Sequence, residues 1–383
     1  MINRSCKPFY DKLDRAHILM LDAKTSDEKV ALANYIGNVY RSLMAMGDDG
    51  VSIDQNRCFG SKKNYKKFVK KIAIYDDRLL QNFVLNKEFH SQFLGEILPD
   101  VEDDLARVGD LTFPENGTLS KEDFFEVFYL FLKSISLDSL FDEFYEHCHI
   151  HSSQRDLDDG YLGFTLYNPL TKETDLFVRD FRFDFSSMQT LAHEFGHGYD
   201  VNCFSESVED YNRYFYLSFY GEVLSRLMER LLFHFMIQNG ILRETVSNHL
   251  INFESINHDF LLYSYIISLL DSNFLLSEEY LDCDEGTLAK KVKKFFVDDA
   301  DIKGFLERMK HIDLAEGFVY AYGDIVSMFL SDEAQKVGFS NDLLDYFLQR
   351  RSEVFQEDFF RKCGFGPVNY VKLYKKEIGL IQK

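Results

Sequence analysis

No proline stands between Pro169 and Pro367, so the carboxyl-terminal half of this 383-residue chain lacks the residue that both removes a helical hydrogen bond and clashes with the preceding turn. That half reads as mostly helix. Tyr216 to Ile237 and Phe253 to Leu276 repeat apolar residues at steps of three and four, the helical period. Residues 1–145 also read as helices, punctuated near Gly47–Gly50, Pro99–Asp100 and Pro114–Gly117. One stretch departs from the pattern: Gly160–Tyr167 and Leu176–Phe183 are rich in β-branched and aromatic residues and flank Asn168-Pro169, which predicts a β-hairpin or small sheet. The expected fold class is therefore mainly α, a multi-helix fold with this β element beside the helix discussed next. The chain divides into an amino-terminal helical lobe (1–145) and a second helical domain (146–383), with no internal repeat.

With 46% hydrophobic and 16% aromatic residues the chain can bury a large core, which excludes disorder as its default state. Its net charge of -20 argues against nucleic acid or an anionic membrane as the main partner, because both demand a positive footprint. The basic run Lys62–Lys71 carries Tyr65, Phe68, Val69 and Ile72 at helical spacing and reads as a solvated helix face. No signal peptide is read at the start, and the most apolar stretch, Phe260–Leu270, stops at Asp271, short of the ~20 residues a spanning helix needs. Six scattered cysteines without a CxxC pair fit reduced thiols, so a cytoplasmic location is expected.

Leu191–Gly198 contains the pattern HExxH at His193, Glu194 and His197. Two histidines four apart on a helix point the same way, so both imidazoles can reach one zinc ion, and the glutamate between them can take a proton from water at the remaining position. Ser186 and Gln189 are spaced as a capping box, and Met188, Leu191, Ala192 and Phe195 supply an apolar face, which places the motif early in a buried helix. Catalytic zinc usually takes three protein ligands. Glu222, Ser225 and Glu229 fall at i, i+3 and i+7 of a downstream helix; Glu222 is the natural third ligand, and Glu229 either fixes a ligand histidine's tautomer or pairs with Arg226 or Arg230 at the surface.

HEFGH followed at this separation by Glu-x-x-Ser-x-x-x-Glu, together with Gly317–Leu330, Asn341–Leu348 and the Cys363–Gly366 turn, resembles the thimet oligopeptidase and oligoendopeptidase F family of zinc metallopeptidases. The resemblance runs from about residue 155 to 380. It implies a helical enzyme with a substrate channel between two lobes and one Zn2+ per chain, in which Glu194 activates water. It further implies that Tyr320 and Tyr322 donate hydrogen bonds to the oxyanion, and that the strand from Gly163 through Phe164 and Thr165 aligns the peptide. Asp200 stands where relatives usually carry another histidine, placing it in the surroundings of the ligands, and His311 is the nearest counterpart of the family's substrate-side histidine, with Asp313 an alternative.

His147, His149 and His151 alternate as strand residues do, without an acidic or thiol partner at motif spacing, and read as an ordinary strand or loop. The function expected is hydrolysis of internal bonds in short unfolded peptides. A metallocarboxypeptidase and a non-catalytic, zinc-stabilised peptide-binding protein are the alternatives; Glu194 argues against the last, since a structural site has no need of that carboxylate.

Overall fold

The computed structural model describes residues 7–45, 80–109, 111, 113, 117–141, 148–151, 163–179, 182–204, 220–276, 285–296, 302–306, 314–339, 342–348 and 357–381. The basic run, the punctuation at Gly47–Gly50, His147 and His311 lie outside them. Among the described residues the protein is mainly helical, with one small sheet. None of the described helices is long and apolar enough to cross a membrane.

Two helices, α1 (Lys7–Asp22) and α2 (Ser26–Ala45), form an amino-terminal hairpin. After them come α3 (Lys87–Gly109) and α4 (Lys121–Ser134), then strands β1 (Cys148–His151), β2 (Gly163–Tyr167) and β3 (Thr174–Arg179). Helix α5 (Phe185–Phe204) carries the HExxH motif, and α6 (Val223–Gln238), α7 (Arg243–Ser268) and α8 (Ser272–Leu275) follow. The described chain closes with α9 (Glu285–Val292), α10 (Leu314–Val337), α11 (Asp342–Leu348), α12 (Glu357–Lys362) and α13 (Pro367–Ile381).

Pro99 does not end a helix, as the sequence suggested, but lies inside α3. A mid-helix proline costs about 3 kcal/mol, and α3 offsets it by burying Phe93, Leu94, Ile97, Leu98, Val101 and Val108. The β element is a three-stranded sheet in the order β1-β3-β2, with β1 parallel and β2 antiparallel to β3. The hairpin β2–β3 turns at Asn168, whose Oδ1 accepts from Leu170 N at 3.1 Å and Thr171 N at 3.3 Å, the local bond that makes asparagine a turn former. The second strand ends at Arg179, earlier than the run to Phe183 suggested: Phe183 adopts φ 57° and leads into the cap of α5.

Strand alternation sorts the sheet's side chains between two apolar clusters. Leu176 and Val178 join the main core built by α3 to α13, whereas Leu166 and Phe177 pack with Phe9, Leu13, Ile36 and Val39 of the amino-terminal hairpin. Lys12 reinforces that second contact with an ion pair of 2.6 Å to buried Asp175. Helix α6 runs through the main core and is buried throughout except at Phe235 and its last residue, Gln238, which is why its charged residues must find partners inside the protein.

Candidate metal centre

Helix α5 begins from an aspartate cap rather than the Ser186/Gln189 capping box. Asp184 Oδ1 accepts from Ser187 N at 2.8 Å and Ser187 Oγ at 2.7 Å, satisfying an amide of the first turn. Gln189 is thereby left to reach across to α6. One face of the helix buries Met188, Leu191, Ala192 and Phe195 in the main core, and the other presents His193, Glu194 and His197.

Helix α6 brings Glu222 to that face. The ring nitrogens His193 Nε2 and His197 Nε2 stand 3.1 Å apart, and each is 3.4 Å from Glu222 Oε2. Among the described residues this trio is the one group of three or more such side chains able to hold a metal ion. Ser225 Oγ, one turn on, donates to Glu222 Oε2 at 2.7 Å and so aims the carboxylate. The close approach of the two helices depends on Gly196: a Cβ there would lie 2.5 Å from Leu224 O and 2.6 Å from Ser225 Cα. Helix α10 also comes close to Glu222, since a Cβ on Gly323 would lie 2.8 Å from Glu222 Cβ and 3.1 Å from its backbone carbonyl carbon.

Behind the histidines stands Glu229. Its Oε2 lies 3.4 Å from His193 Nδ1 and accepts from Arg226 Nη1 at 2.9 Å, while Oε1 accepts from Gln189 Nε2 at 3.0 Å. The two alternatives read from the sequence thus coincide, with the difference that the Glu229–Arg226 pair is buried rather than on the surface.

The field over the cluster favours positive charge. Burial works against a protonated His197, but Glu222, with Glu194 and Asp200, raises its pKa to about 9. His193 is raised against the same desolvation by Glu229 and Glu222. Burial also opposes the charged forms of Glu222 and Glu229, yet the histidines hold Glu222 well below the carboxylate range, and Arg226 and His193 hold Glu229 at about 2. Asp200 is 1% exposed and acts on His197 through its charge.

Glu194 is set apart from these. Burial raises its pKa, opposed by the two histidines and by Thr165. Thr165 Oγ1 lies 2.8 Å from Glu194 Oε2 and 2.9 Å from its backbone oxygen. Gly163, two residues earlier on the same face of β2, lets the strand lie against the carboxylate: a Cβ there would meet Glu194 Oε1 at 2.7 Å. Phe164 points the other way and packs on Phe177 at 5.9 Å.

The tyrosines separate. Tyr322 is buried with its hydroxyl on His90 Nδ1, and its ring meets Phe360 edge-on; the structure does not bring it to the cluster. Two residues apart on a helix means about 200° of rotation, so a single helix cannot turn both rings to one site. Tyr320 is on the face that carries Gly323, stacked on Phe260 at 4.8 Å and 5.4 Å from the Arg226 guanidinium. The sequence suggests Gln189 only as half of a capping box and Arg226 only as a surface partner of Glu229, and it assigns Gly196 and Gly323 no role of their own. Gly196 carried the one available signal, as the small residue inside HEFGH.

No model of a known protein family matches the chain, and no curated protein matches it. A crystal structure from Bacillus anthracis str. Ames, provisionally described as an oligoendopeptidase F, is similar over 96% of this chain and 73% of its own, at 13% identity and a TM-score of 0.49.

Proposed function

We propose that this protein is a zinc-dependent peptidase that hydrolyses internal bonds of short, unfolded peptides. The observation that carries the reading is the donor triangle of His193, His197 and Glu222, whose edges of 3.1, 3.4 and 3.4 Å match the ~3.3 Å between neighbouring ligands of a tetrahedral zinc site. Two imidazoles and one carboxylate leave one position for water or substrate, the pattern of catalytic rather than structural zinc. When bound, zinc acidifies a water molecule and polarises a carbonyl.

The chain's own residues supply the rest. Glu194 accepts the proton of the attacking water at a carboxylate oxygen and passes it to the leaving amine, so that the peptide C–N bond breaks and carboxylate and amine leave. Its raised pKa suits both halves of that transfer. Thr165 holds the carboxylate in place. Strand β2 is an edge strand, with no further strand beside it among the described residues. An extended peptide laid along such an edge is aligned by backbone hydrogen bonds, which recognise short unfolded chains without regard to sequence. Tyr320 is the nearer of the two tyrosines for stabilising charge on the carbonyl oxygen.

Incubating the purified protein with a mixed peptide library, with and without chelator, and reading products by mass spectrometry tests the reading. Internal cuts that vanish with chelator and in Glu194→Gln, while Glu194→Gln keeps its zinc, are expected. Trimming confined to carboxyl termini would transfer the protein to the carboxypeptidases, and turnover that survives demetallation would remove zinc from the account.

A further inference from the structure

Arg226 lies one turn beyond Glu222 on α6 and is 6% exposed. Its Nη1 donates to Glu229 Oε2 at 2.9 Å and its Nη2 to Asn257 Oδ1 on α7. The guanidinium carbon lies over two rings, 4.3 Å from the centroid of Phe253 and 5.4 Å from that of Tyr320. A buried ion pair is a poor device for stability, because apolar residues of similar volume are often as stabilising or more so. The arrangement does accomplish something else. Glu229 Oε2, the atom Arg226 holds, is the atom facing His193 Nδ1, and Gln189 holds the other oxygen of the same carboxylate. A carboxylate fixed at both oxygens can accept an N–H only from the direction of His193, which leaves His193 Nε2 as the lone-pair donor toward His197 and Glu222.

From these contacts we infer that Arg226 is a positioning residue for the metal centre, acting through Glu229 to fix the tautomer and ring plane of His193. This rests on the zinc reading above. The guanidinium is required for its shape as well as its charge. It forks toward Glu229 on α6 and Asn257 on α7 with its central carbon over the Phe253 and Tyr320 rings, whereas a lysine ammonium would keep the charge and lose one arm of the fork. Because Arg226 also lies over the Tyr320 ring, one side chain ties the partner of a ligand histidine to α10.

The test is a mutant cycle on the full chain, read by zinc affinity from chelator competition and by the visible spectrum of the Co2+-loaded protein, beside thermal melts. Removing a residue that orients a ligand typically costs 10–100-fold in metal affinity. Arg226→Met is therefore expected to weaken zinc binding about tenfold and to shift the Co2+ bands, with Arg226→Lys in between. The double variant Arg226→Met/Glu229→Gln should bind zinc no more weakly than Glu229→Gln alone, because the path runs through one carboxylate. Should Arg226→Met fail to fold, the Arg226→Lys/Glu229→Gln cycle makes the same comparison. Wild-type affinity and spectrum in Arg226→Met, or losses that multiply in the double variant, would overturn the inference while leaving zinc in place. Wild-type protein that takes up no zinc would overturn both.

Discussion

Gly196→Ala adds one methyl group where α5 and α6 touch, and its effect can be worked out from the contacts. The new Cβ would sit 2.5 Å from Leu224 O and 2.6 Å from Ser225 Cα. Both are backbone atoms, so no side chain can rotate away. Reaching an ordinary contact of 3.4 Å requires the helices to part by about 0.9 Å, and a metal site tolerates ligand displacements of only ~0.2 Å. The parting acts almost directly on Glu222, three residues from Ser225 and at the N-cap of the moving helix. On stability two terms oppose one another: alanine gains ~1 kcal/mol of helix propensity over glycine, and overpacking costs ~1–3 kcal/mol. Net destabilisation should therefore be small, ~0–2 kcal/mol. A displacement near 1 Å costs on the order of 100-fold in turnover, or ~2.7 kcal/mol. Measuring zinc affinity, kcat/KM on a quenched peptide and Tm on one preparation separates these effects. Gly37→Ala is the control, since a Cβ there meets nothing within 4 Å; it should leave activity unchanged and stability equal or higher. A folded Gly196→Ala protein with full zinc affinity and turnover would refute the claim that the glycine sets the ligand spacing.

Thr165→Val keeps shape and removes the hydroxyl that holds Glu194, a bond to a charged group worth ~1.5–3 kcal/mol; kcat should fall about ten- to a hundredfold at unchanged zinc affinity, and an unaltered kcat would show that the carboxylate orients itself. Tyr320→Phe should lower kcat by on the order of 100-fold, while Tyr322→Phe, which loses a core hydroxyl–His90 bond, should cost ~1 kcal/mol in urea melts without touching kcat; the reverse pattern would exchange their roles. Glu254→Gln probes the buried network in which Arg230 meets Glu254, Asp324 and Glu377. Burial lifts the Glu254 pKa well above its ordinary 4.5, more than Arg230 lowers it, with Glu377 and Asp324 adding to the rise. The folded state then binds the proton more tightly than the unfolded state, so this group costs stability progressively as pH climbs above about 4.5. Glutamine should flatten that part of the pH profile and be no less stable at neutral pH; a loss of ~3–5 kcal/mol at all pH values would mean that Glu254 is the ionised partner of Arg230.

The sequence made legible what repeats along a single helix. His193 and His197 share a face because they are four apart, and Glu222, Ser225 and Glu229 are phased the same way, so their types and spacing announced a donor set before any packing was known. It did not make legible what depends on the neighbouring element. Arg226 is an ordinary charged residue until α7 and α10 close over it with Asn257, Phe253 and Tyr320. Tyr320 and Tyr322 look equivalent in a tyrosine-rich run, and the helical rotation between them sends one toward α6 and the other to His90. Pro99 resembled a boundary because propensity is local, whereas the core that α3 fills is not. The cap of α5 lies two residues before Ser186 because Asp184 offers the same capping chemistry as the serines at 186 and 187.

The way residues 7–45 hold on has a mechanical corollary. The hairpin α1–α2 grips one side of β2 and β3 through Leu166, Phe177 and the Lys12–Asp175 pair, and Thr165, the neighbour of Leu166, grips Glu194 from the other side. Adjacent links of one strand thus connect this clasp to Glu194, the proposed proton carrier. Slackening the clasp would loosen the lever before it loosened the body, so wear at the amino terminus would register first in turnover and only later in melting.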